Sequence, residues 1–153
     1  MQDLERAVTR PLMFVGECRS LTAQRKGWTW ADGRLAAKPL FEALEAMGVD
    51  PKAHEYCNLW TDNASGDTYG SLKPGVLGST VRRIMARGAA GVVIVALGKR
   101  VSAELAKRGI VHVALVHPAA RGKIRKREVY IAHVAERLAP AMRKRNASRG
   151  GGR

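Results

Sequence analysis

Short apolar runs that alternate with segments of helical spacing constrain the fold of this chain more than any other feature of its sequence. The clearest runs, residues 12–15, 91–97 and 110–116, are apolar at almost every position, while residues 55–60 are interrupted by Asn58. Continuous apolar runs are typical of parallel strands buried on both faces, with helices as the right-handed crossovers between them. We therefore predict a three-layer α/β/α fold around a central four-stranded parallel sheet.

The segments between these runs carry apolar residues at helical spacing. The helices predicted from this spacing cover residues 3–10, 35–47, 76–87, 101–108 and 127–139. Gly48 follows the second helix as a C-cap, and Pro140 is expected to end the last one. Residues 62–74 form a long polar connection, which is typical of a functional or mobile loop. The pattern predicts one domain over residues 1–145, followed by a disordered basic tail over residues 146–153.

The net charge of +14 over 153 residues restricts the class of partner. Lys and Arg number 27 against 13 Asp and Glu, and the residues from Arg121 onward hold eleven basic and two acidic side chains. Such an excess is typical of proteins that bind nucleic acid or an anionic membrane surface. No apolar stretch is long enough to span a membrane, we expect no signal peptide, and two cysteines are too few for a disulfide framework. We expect a cytoplasmic, monomeric protein that binds nucleic acid and not a membrane.

Each predicted strand ends in a polar residue or a tight turn. Glu17 follows the first strand, Asn58 lies in the second, and Gly98 begins a turn after the third. His117 follows the fourth, where Pro118 breaks the ladder and disfavours helical geometry for the residue before it. Because open α/β sheets bind ligands at the carboxyl ends of their strands, we expect a site at this edge. His117 is placed at the end of a central strand that is buried on both faces, and the basic residues after it favour a polyanionic ligand.

Five segments, taken in order, resemble the motifs of a known family. They are Phe-Val-Gly-Glu at 14–17, Trp-Ala-Asp-Gly at 30–33, Cys-Asn-Leu at 57–59, Val-Ala-Leu-Gly at 95–98 and His-Pro-Ala-Ala-Arg at 117–121. This order resembles the uracil-DNA glycosylase superfamily, closest to the branch whose first motif reads G-E-A-P-G, and the resemblance extends over residues 12–138. It implies a monofunctional DNA glycosylase, which flips a pyrimidine out of DNA and hydrolyses its N-glycosidic bond.

The resemblance also implies roles for individual residues. Asn58 would read the polar edge of the flipped base, and Trp30, with Trp28 as a substitute, would stack on it. His117 would donate a hydrogen bond to O2 of the leaving base, and Glu17 would orient or activate the attacking water. The cations expected to contact DNA are Lys99, Arg100, Arg121, Lys123, Arg125, Lys126 and Arg127, with Arg121 in the place of the side chain that fills the vacated base stack.

Three features depart from the family pattern. Cys18 stands where the best-known branch has an aspartate that activates water, which leaves Glu17 as the candidate. Cys18 and Cys57 cannot ligate the four-cysteine iron–sulfur cluster of the G-E-A-P-G branch, so we expect no cofactor and no metal. Ser20 replaces a tyrosine that excludes substituents at C5 of the base, and we place both Ser20 and Cys18 in the base-binding pocket. The small serine predicts a 5-substituted pyrimidine as substrate, such as a hydroxymethylated or sugar-bearing base of modified phage DNA, and hence a role in antiviral defence.

Other functions stay open from the sequence. One is excision of plain uracil in DNA repair. Another is a non-catalytic nucleic-acid-binding module on the same fold, which the missing aspartate favours. A third is a nucleotide-handling α/β enzyme with a phosphate loop at residues 75–78, although this segment lacks the Gly-Lys-Ser/Thr ending of a P-loop.

Overall fold

The computed structural model describes residues 10–35, 37–60, 76–120 and 122–151. Four strands form one parallel sheet in the spatial order β2-β1-β3-β4. The strands are β1 (Leu12–Gly16), β2 (Glu55–Asn58), β3 (Val93–Leu97) and β4 (Val113–Leu115). The predicted four-stranded parallel sheet is therefore confirmed, and every strand end lies within three residues of the end of its predicted run.

The helices follow the strands in the order expected for crossovers. They are α1 (Leu21–Lys26), α2 (Ala37–Ala46), α3 (Gly78–Ala89), α4 (Lys99–Lys107) and α5 (Arg127–Gly151), with short 3₁₀ helices at Trp30–Asp32, Pro51–Ala53 and Lys123–Arg125. Gly48 has a φ of 77°, which is the left-handed conformation expected of the predicted C-cap. In the part of the chain that the structure describes, no helix is both long enough and apolar enough to cross a membrane.

Alternating side chains of β1 reach two separate hydrophobic cores, which gives the fold its three layers. Leu12 and Phe14 pack in one core with residues of α2 and α5. Met13 and Val15 pack in the other with residues of α3 and α4. All four of these β1 side chains have no exposed surface. Full burial of such a side chain stabilises the folded state by about 1.5–3 kcal/mol. With four such side chains, β1 contributes to both cores and stabilises the whole sheet.

The strand that precedes His117 lies at an edge of the sheet, so the prediction of a central strand buried on both faces is wrong. β4 pairs with β3 alone among the described strands. Leu115 is buried against the core formed with α5, whereas Ala114, which points to the opposite face, is exposed. The continuous apolar run misled the prediction because the residue on the uncovered face is a small alanine. An apolar residue of that size is inexpensive to expose and leaves no alternating pattern.

Pro140 does not end the last helix, contrary to the prediction. α5 continues through it to Gly151, which includes most of the segment over 146–153 that is predicted to be disordered. A proline inside a helix removes one backbone hydrogen bond and costs about 3 kcal/mol. Pro140 itself is exposed, and Met142 beyond it is buried in the same core as Val134, so apolar packing continues past the proline and offsets that cost.

Two predicted elements lie outside the described residues. These are the N-terminal helix over 3–10, except for Arg10, and the long polar loop over 62–74.

Candidate active site

A cavity of about 480 Å³ lies at the carboxyl edge of the sheet. Its walls come from the β1–α1 loop, the tryptophan-containing loop before α2, the end of β2 and the β4–α5 loop. The register of the sheet explains the convergence, because Gly16 of β1 is paired with Asn58 of β2. The predicted catalytic and base-binding residues all line this cavity, namely Glu17, Cys18, Ser20, Trp30, Asn58 and His117.

The protonation state of His117 follows from its loop. The backbone N–H of Ala119 donates to Nδ1 of His117 over 3.0 Å, so Nδ1 is an acceptor and carries no proton. The neutral ring therefore holds its proton on Nε2. Burial lowers the pKa of His117, and the Glu17 carboxylate opposes this effect in part. Among the residues that the structure describes, none makes a hydrogen bond with Nε2. The ring thus offers one neutral N–H donor at the cavity wall.

The backbone before His117 is held from helix α5. The hydroxyl of Tyr130 donates to the carbonyl of Val116 over 2.9 Å, and the N–H of Val116 donates to Nε2 of His133 over 2.9 Å. Burial raises the pKa of Tyr130, which keeps the hydroxyl protonated as a donor. On the other side, a Cβ added to Gly98 would lie 3.4 Å from Cβ of His117, so the turn after β3 packs closely on the histidine. These contacts hold the backbone around His117 from α5 and from the turn after β3.

Asn58 and Trp30 form a hydrogen-bonded pair in the cavity wall. The indole Nε1 of Trp30 donates to Oδ1 of Asn58 over 3.0 Å. Trp30 also ends a column of aromatic rings, because it stacks on Tyr56 with centroids 5.8 Å apart, and Tyr56 stacks on Phe14 at 5.1 Å. Phe14 is fully buried, so the column runs from the core to the cavity. Trp30 therefore has a structural contact on one face while it lines the site.

Gly16 makes this pair possible. A Cβ built on Gly16 would lie 2.7 Å from Cζ2 of Trp30 and 2.8 Å from Oδ1 of Asn58. Both distances are shorter than nonbonded atoms tolerate, so any side chain at this position displaces the pair. The requirement for glycine at the end of β1 is one of space, not of backbone conformation.

Glu17 is held beside the cavity by a cation. Its Oε2 lies 3.7 Å from Nη1 of Arg100, and the guanidinium of Arg100 lies 5.0 Å from the ring centroid of Trp60. The backbone N–H of Trp60 in turn donates to the carbonyl of Glu17 over 2.9 Å. The end of β2 and the start of α4 thus fix both the main chain and the carboxylate of Glu17. Arg100, predicted to contact phosphate, has a second role in orienting this carboxylate.

Ser20 has a structural function that the sequence reasoning missed. It is the N-cap of α1, and its hydroxyl accepts a hydrogen bond from the N–H of Ala23 over 3.2 Å. Helix α1 itself was not predicted, although a serine seven residues before the left-handed C-cap Gly27 is a recognisable signal for a short helix. Ser20 still lines the cavity, and so does Cys18, which is half-buried.

The predicted DNA-contacting cations lie around the same edge. Lys99 and Arg100 are exposed in the first turn of α4, directly after the turn at Gly98. Lys123, Arg125, Lys126 and Arg127 are exposed in the connection from β4 to α5 and at its end. Arg127 also pairs with Glu42 of α2 over 3.4 Å. Arg121 lies outside the described residues.

Further cations at the cavity were not predicted. Arg34 and Arg19 line it, and the ring of Trp28 lies 5.3 Å from the guanidinium of Arg34 and 5.7 Å from Nζ of Lys26. The signal in the sequence was the density of basic residues on either side of Trp28, since cations flanking an indole in a glycine-bounded loop commonly contact its ring. Trp28 therefore lines the cavity under cationic side chains.

Within the described part of the chain, no group of three or more His, Cys, Asp or Glu side chains is placed to bind a metal ion. Burial raises the pKa of Cys57 to about 11, and its side chain packs against the core on the α3 and α4 side, away from Asn58.

A comparison with models of protein families and a comparison with curated proteins both find no match to this chain.

Proposed function

We propose that this protein is a monofunctional DNA glycosylase of the uracil-DNA glycosylase type, which acts as a monomer in the cytoplasm. It flips a pyrimidine out of DNA and hydrolyses the bond between base and sugar. The observation that carries this proposal is the neutral His117 at the cavity wall, with its Nε2–H available and the Asn58 amide in the same cavity. A hydrogen-bond donor and an amide in one cavity suit recognition of a base together with stabilisation of its departure.

The chemistry requires a donor for the leaving base. Cleavage of the N-glycosidic bond places negative charge on the base, mostly on O2, and a donor aimed at O2 stabilises that charge. A neutral imidazole can donate this hydrogen bond in a buried site without the desolvation cost that an imidazolium cation would carry. The bond from Ala119 to Nδ1 supports this role for His117, because it fixes the ring and leaves Nε2–H as the only donor.

The aromatic column supports the stacking role of Trp30. A base that stacks on Trp30 extends the series Phe14, Tyr56, Trp30 by one ring, with the indole already held in place on its other face. Stacking of a base on an aromatic side chain is worth about 1–3 kcal/mol. Asn58 then reads the polar edge of the base.

Glu17 is the candidate residue for orienting the attacking water and for stabilising the positive charge on the sugar. The sugar becomes positively charged as the bond breaks, and a nearby carboxylate stabilises that charge and orients the attacking water. Its ion pair with Arg100, with 3.7 Å between the two charged atoms, supports this role by orienting a carboxylate that lines the cavity. The exposed basic residues of the β4–α5 connection, with Lys99, supply the phosphate contacts.

The cavity also favours a substituted base. Ser20 is small, its hydroxyl is engaged as a helix cap, and the cavity of about 480 Å³ extends past it to Thr22 and Ala23. We infer a preference for pyrimidines with a polar substituent at C5, such as hydroxymethylated or glycosylated bases, and a role in defence against phages with modified DNA.

The experiment is a single-turnover assay for abasic sites. Otherwise identical oligonucleotides carry uracil, 5-hydroxymethyluracil, 5-hydroxymethylcytosine or a glycosylated pyrimidine at one position, in duplex and in single-stranded form. The proposal expects release of at least one substituted base faster than uracil. Faster release of uracil alone would overturn the open-pocket argument and favour DNA repair. Salt-dependent DNA binding without release of any base would favour a non-catalytic binding module.

A further inference from the structure

We propose that Trp30 is a positioning residue whose indole N–H fixes the side-chain amide of Asn58 in one of its two orientations. The inference rests on the proposed glycosylase function, because the amide matters as the reader of the base. It goes beyond stacking, since any aromatic ring can stack, whereas only tryptophan has a ring N–H that donates and never accepts.

The hydrogen bond between the two side chains decides the orientation. Nε1 of Trp30 lies 3.0 Å from Oδ1 of Asn58. If the amide turned by 180°, its NH₂ group would meet the indole N–H, and two donors would face each other. The amide oxygen and nitrogen are nearly equal in size, so packing alone distinguishes them poorly. The donor-only indole is therefore what selects the orientation.

The main chain at the end of β1 encloses the amide oxygen from another side. A Cβ on Gly16 would lie only 2.8 Å from Oδ1 of Asn58, so the oxygen sits against the glycine backbone as well as against the indole. Among the described residues, none accepts a hydrogen bond from Nδ2 of Asn58. The amide therefore presents its two N–H donors to a ligand.

A fixed amide makes the base selectivity of the pocket directional. A pyrimidine that places an acceptor opposite Nδ2 is bound, whereas one that places an amino group there leaves donors facing donors. The 4-oxo and 4-amino pyrimidines differ in this respect at a single exocyclic position. An amide that turns freely accommodates either pattern, so loss of the indole N–H weakens the discrimination without removing the stacked ring.

The first test uses nuclear magnetic resonance on the free protein. The indole N–H of Trp30 should exchange with solvent roughly tenfold or more slowly than that of Trp28, which has no acceptor among the described residues. In Trp30→Phe the side-chain NH₂ resonances of Asn58 should shift, while in His112→Ala, whose ring is bonded to Ser102 and Ile110, they should not. Equal exchange at Trp30 and Trp28, with unchanged Asn58 resonances in Trp30→Phe, would overturn the proposal.

The second test uses base release from a matched pair of substrates, 5-hydroxymethyluracil and 5-hydroxymethylcytosine, in the same oligonucleotide. The ratio of their single-turnover rates should fall by about tenfold to a hundredfold in Trp30→Phe, since an unmatched polar group in a buried site is costly. His112→Ala, which removes a side chain bonded to Ser102 and Ile110 outside the candidate site, should keep the parent ratio. A Trp30→Phe variant with the parent ratio would contradict the positioning role.

The two proposals fail in different ways. Absence of base release by the parent protein from every substrate would overturn the glycosylase function, and the resonance measurements would then decide the orientation of Asn58 alone. Normal base release with an unprotected Trp30 indole would overturn only the positioning role.

Discussion

Two cavities of similar size lie at opposite edges of the sheet, and their linings differ. The carboxyl-edge cavity, of about 480 Å³, holds a carboxylate, an amide, two tryptophans and His117. The amino-edge cavity, of about 440 Å³, is lined mainly by aliphatic residues and glycines from α3, β3 and the segment before β4, together with Arg10 and His112. Volume alone does not distinguish the two cavities. They differ in whether their polar side chains have all their hydrogen-bond partners within the protein.

The histidines in the two cavities show this difference most clearly. Both ring nitrogens of His112 have protein partners, because Nδ1 lies 2.8 Å from the carbonyl of Ile110 and Nε2 lies 2.7 Å from Oγ of Ser102. In His117 only Nδ1 has such a partner among the described residues. A histidine satisfied at both nitrogens stabilises the fold, whereas one with an available donor can serve a ligand.

The largest expected effect comes from exchanging the two histidines for alanine. His117→Ala should reduce base release by about a hundredfold or more, which is the usual cost of removing a donor that stabilises developing negative charge. DNA affinity and the free energy of unfolding should change little. His112→Ala should retain base release and lower the free energy of unfolding by about 1–2 kcal/mol, since Ser102 loses its partner.

Single-turnover rates and urea denaturation on both variants check this comparison. Equal base release in His117→Ala and the parent would remove His117 from the mechanism. A large loss in His112→Ala at unchanged stability would instead assign chemistry to the amino-edge cavity.

Glycines at the two edges provide the next test. Gly16→Ala places a methyl group within 2.8 Å of both Trp30 and Asn58, so we expect a loss of about 1–3 kcal/mol in stability and reduced base release. Gly88 lines the amino-edge cavity from helix α3, and among the described residues a Cβ there would meet Cγ1 of Ile94 alone, at 3.7 Å. Gly88→Ala should therefore be neutral or stabilise the protein by about 0.5–1 kcal/mol.

Thermal and urea unfolding measure both changes. A destabilised Gly88→Ala or an unaffected Gly16→Ala would show that the close packing at the carboxyl edge is not specific to the candidate site.

The sheet was predictable because its strongest signals are local. The runs at β1 and β3 are buried on both faces, and a continuous apolar pattern follows directly from that environment. The edge position of β4 was not predictable, since strand order depends on contacts between distant segments and the exposed Ala114 leaves no polar mark. Likewise, the stop expected at Pro140 ignored the buried Met142 that lies beyond it.

The composition of the candidate site could be predicted because parallel strands bring their carboxyl ends together. What the sequence did not reveal were the contacts that orient the residues. The bond between Trp30 and Asn58 joins positions 28 residues apart, and the contact of His133 with Val116 joins positions 17 apart. Such pairs depend on how loops and helices pack, and no spacing rule within one segment encodes them.

The salt dependence of DNA binding tests whether the basic residues of the two edges differ. If Lys123 and Lys126 contact phosphates, Lys123→Gln/Lys126→Gln should make the slope of log Kd against log salt shallower by roughly 2, because each contact releases about one counterion. Lys52 and Lys107 are exposed near the amino edge, before β2 and at the end of α4. Lys52→Gln/Lys107→Gln, which removes the same charge, should leave the slope nearly unchanged.

Fluorescence anisotropy with a labelled duplex, from about 50 to about 200 mM salt, gives both slopes. Equal changes in the two double variants would mean that the net charge matters and the position of the charges does not.

The smallest expected effect is a pH dependence of stability. Burial lowers the pKa of His54, His117 and His133 below the usual 6.5, and Arg137 lowers that of His133 further while Glu136 opposes it. Below pH 6.5 the unfolded chain therefore binds protons that the folded chain does not. The stability that these three unprotonated histidines contribute is fully present above pH 6.5. It is lost as the pH decreases toward their folded-state pKa values. The hydrogen bonds are consistent with this loss of stability at low pH. The N–H of Val116 needs an unprotonated Nε2 on His133, and the N–H of Ala119 needs an unprotonated Nδ1 on His117.

Replacing the two carboxyl-edge histidines isolates their share of this dependence. His117→Asn/His133→Gln removes both titrating groups but retains side-chain oxygens that can accept from the main chain, so it should flatten the fall in the free energy of unfolding between about pH 7 and pH 5 without abolishing it. His54, which accepts from the N–H of Leu12 at the amino edge, should account for the remainder. Urea denaturation at a series of pH values measures the slopes. A slope in the double variant equal to that of the parent would show that His117 and His133 take up protons equally well in the folded and unfolded states, and that burial at the carboxyl edge does not keep His117 neutral.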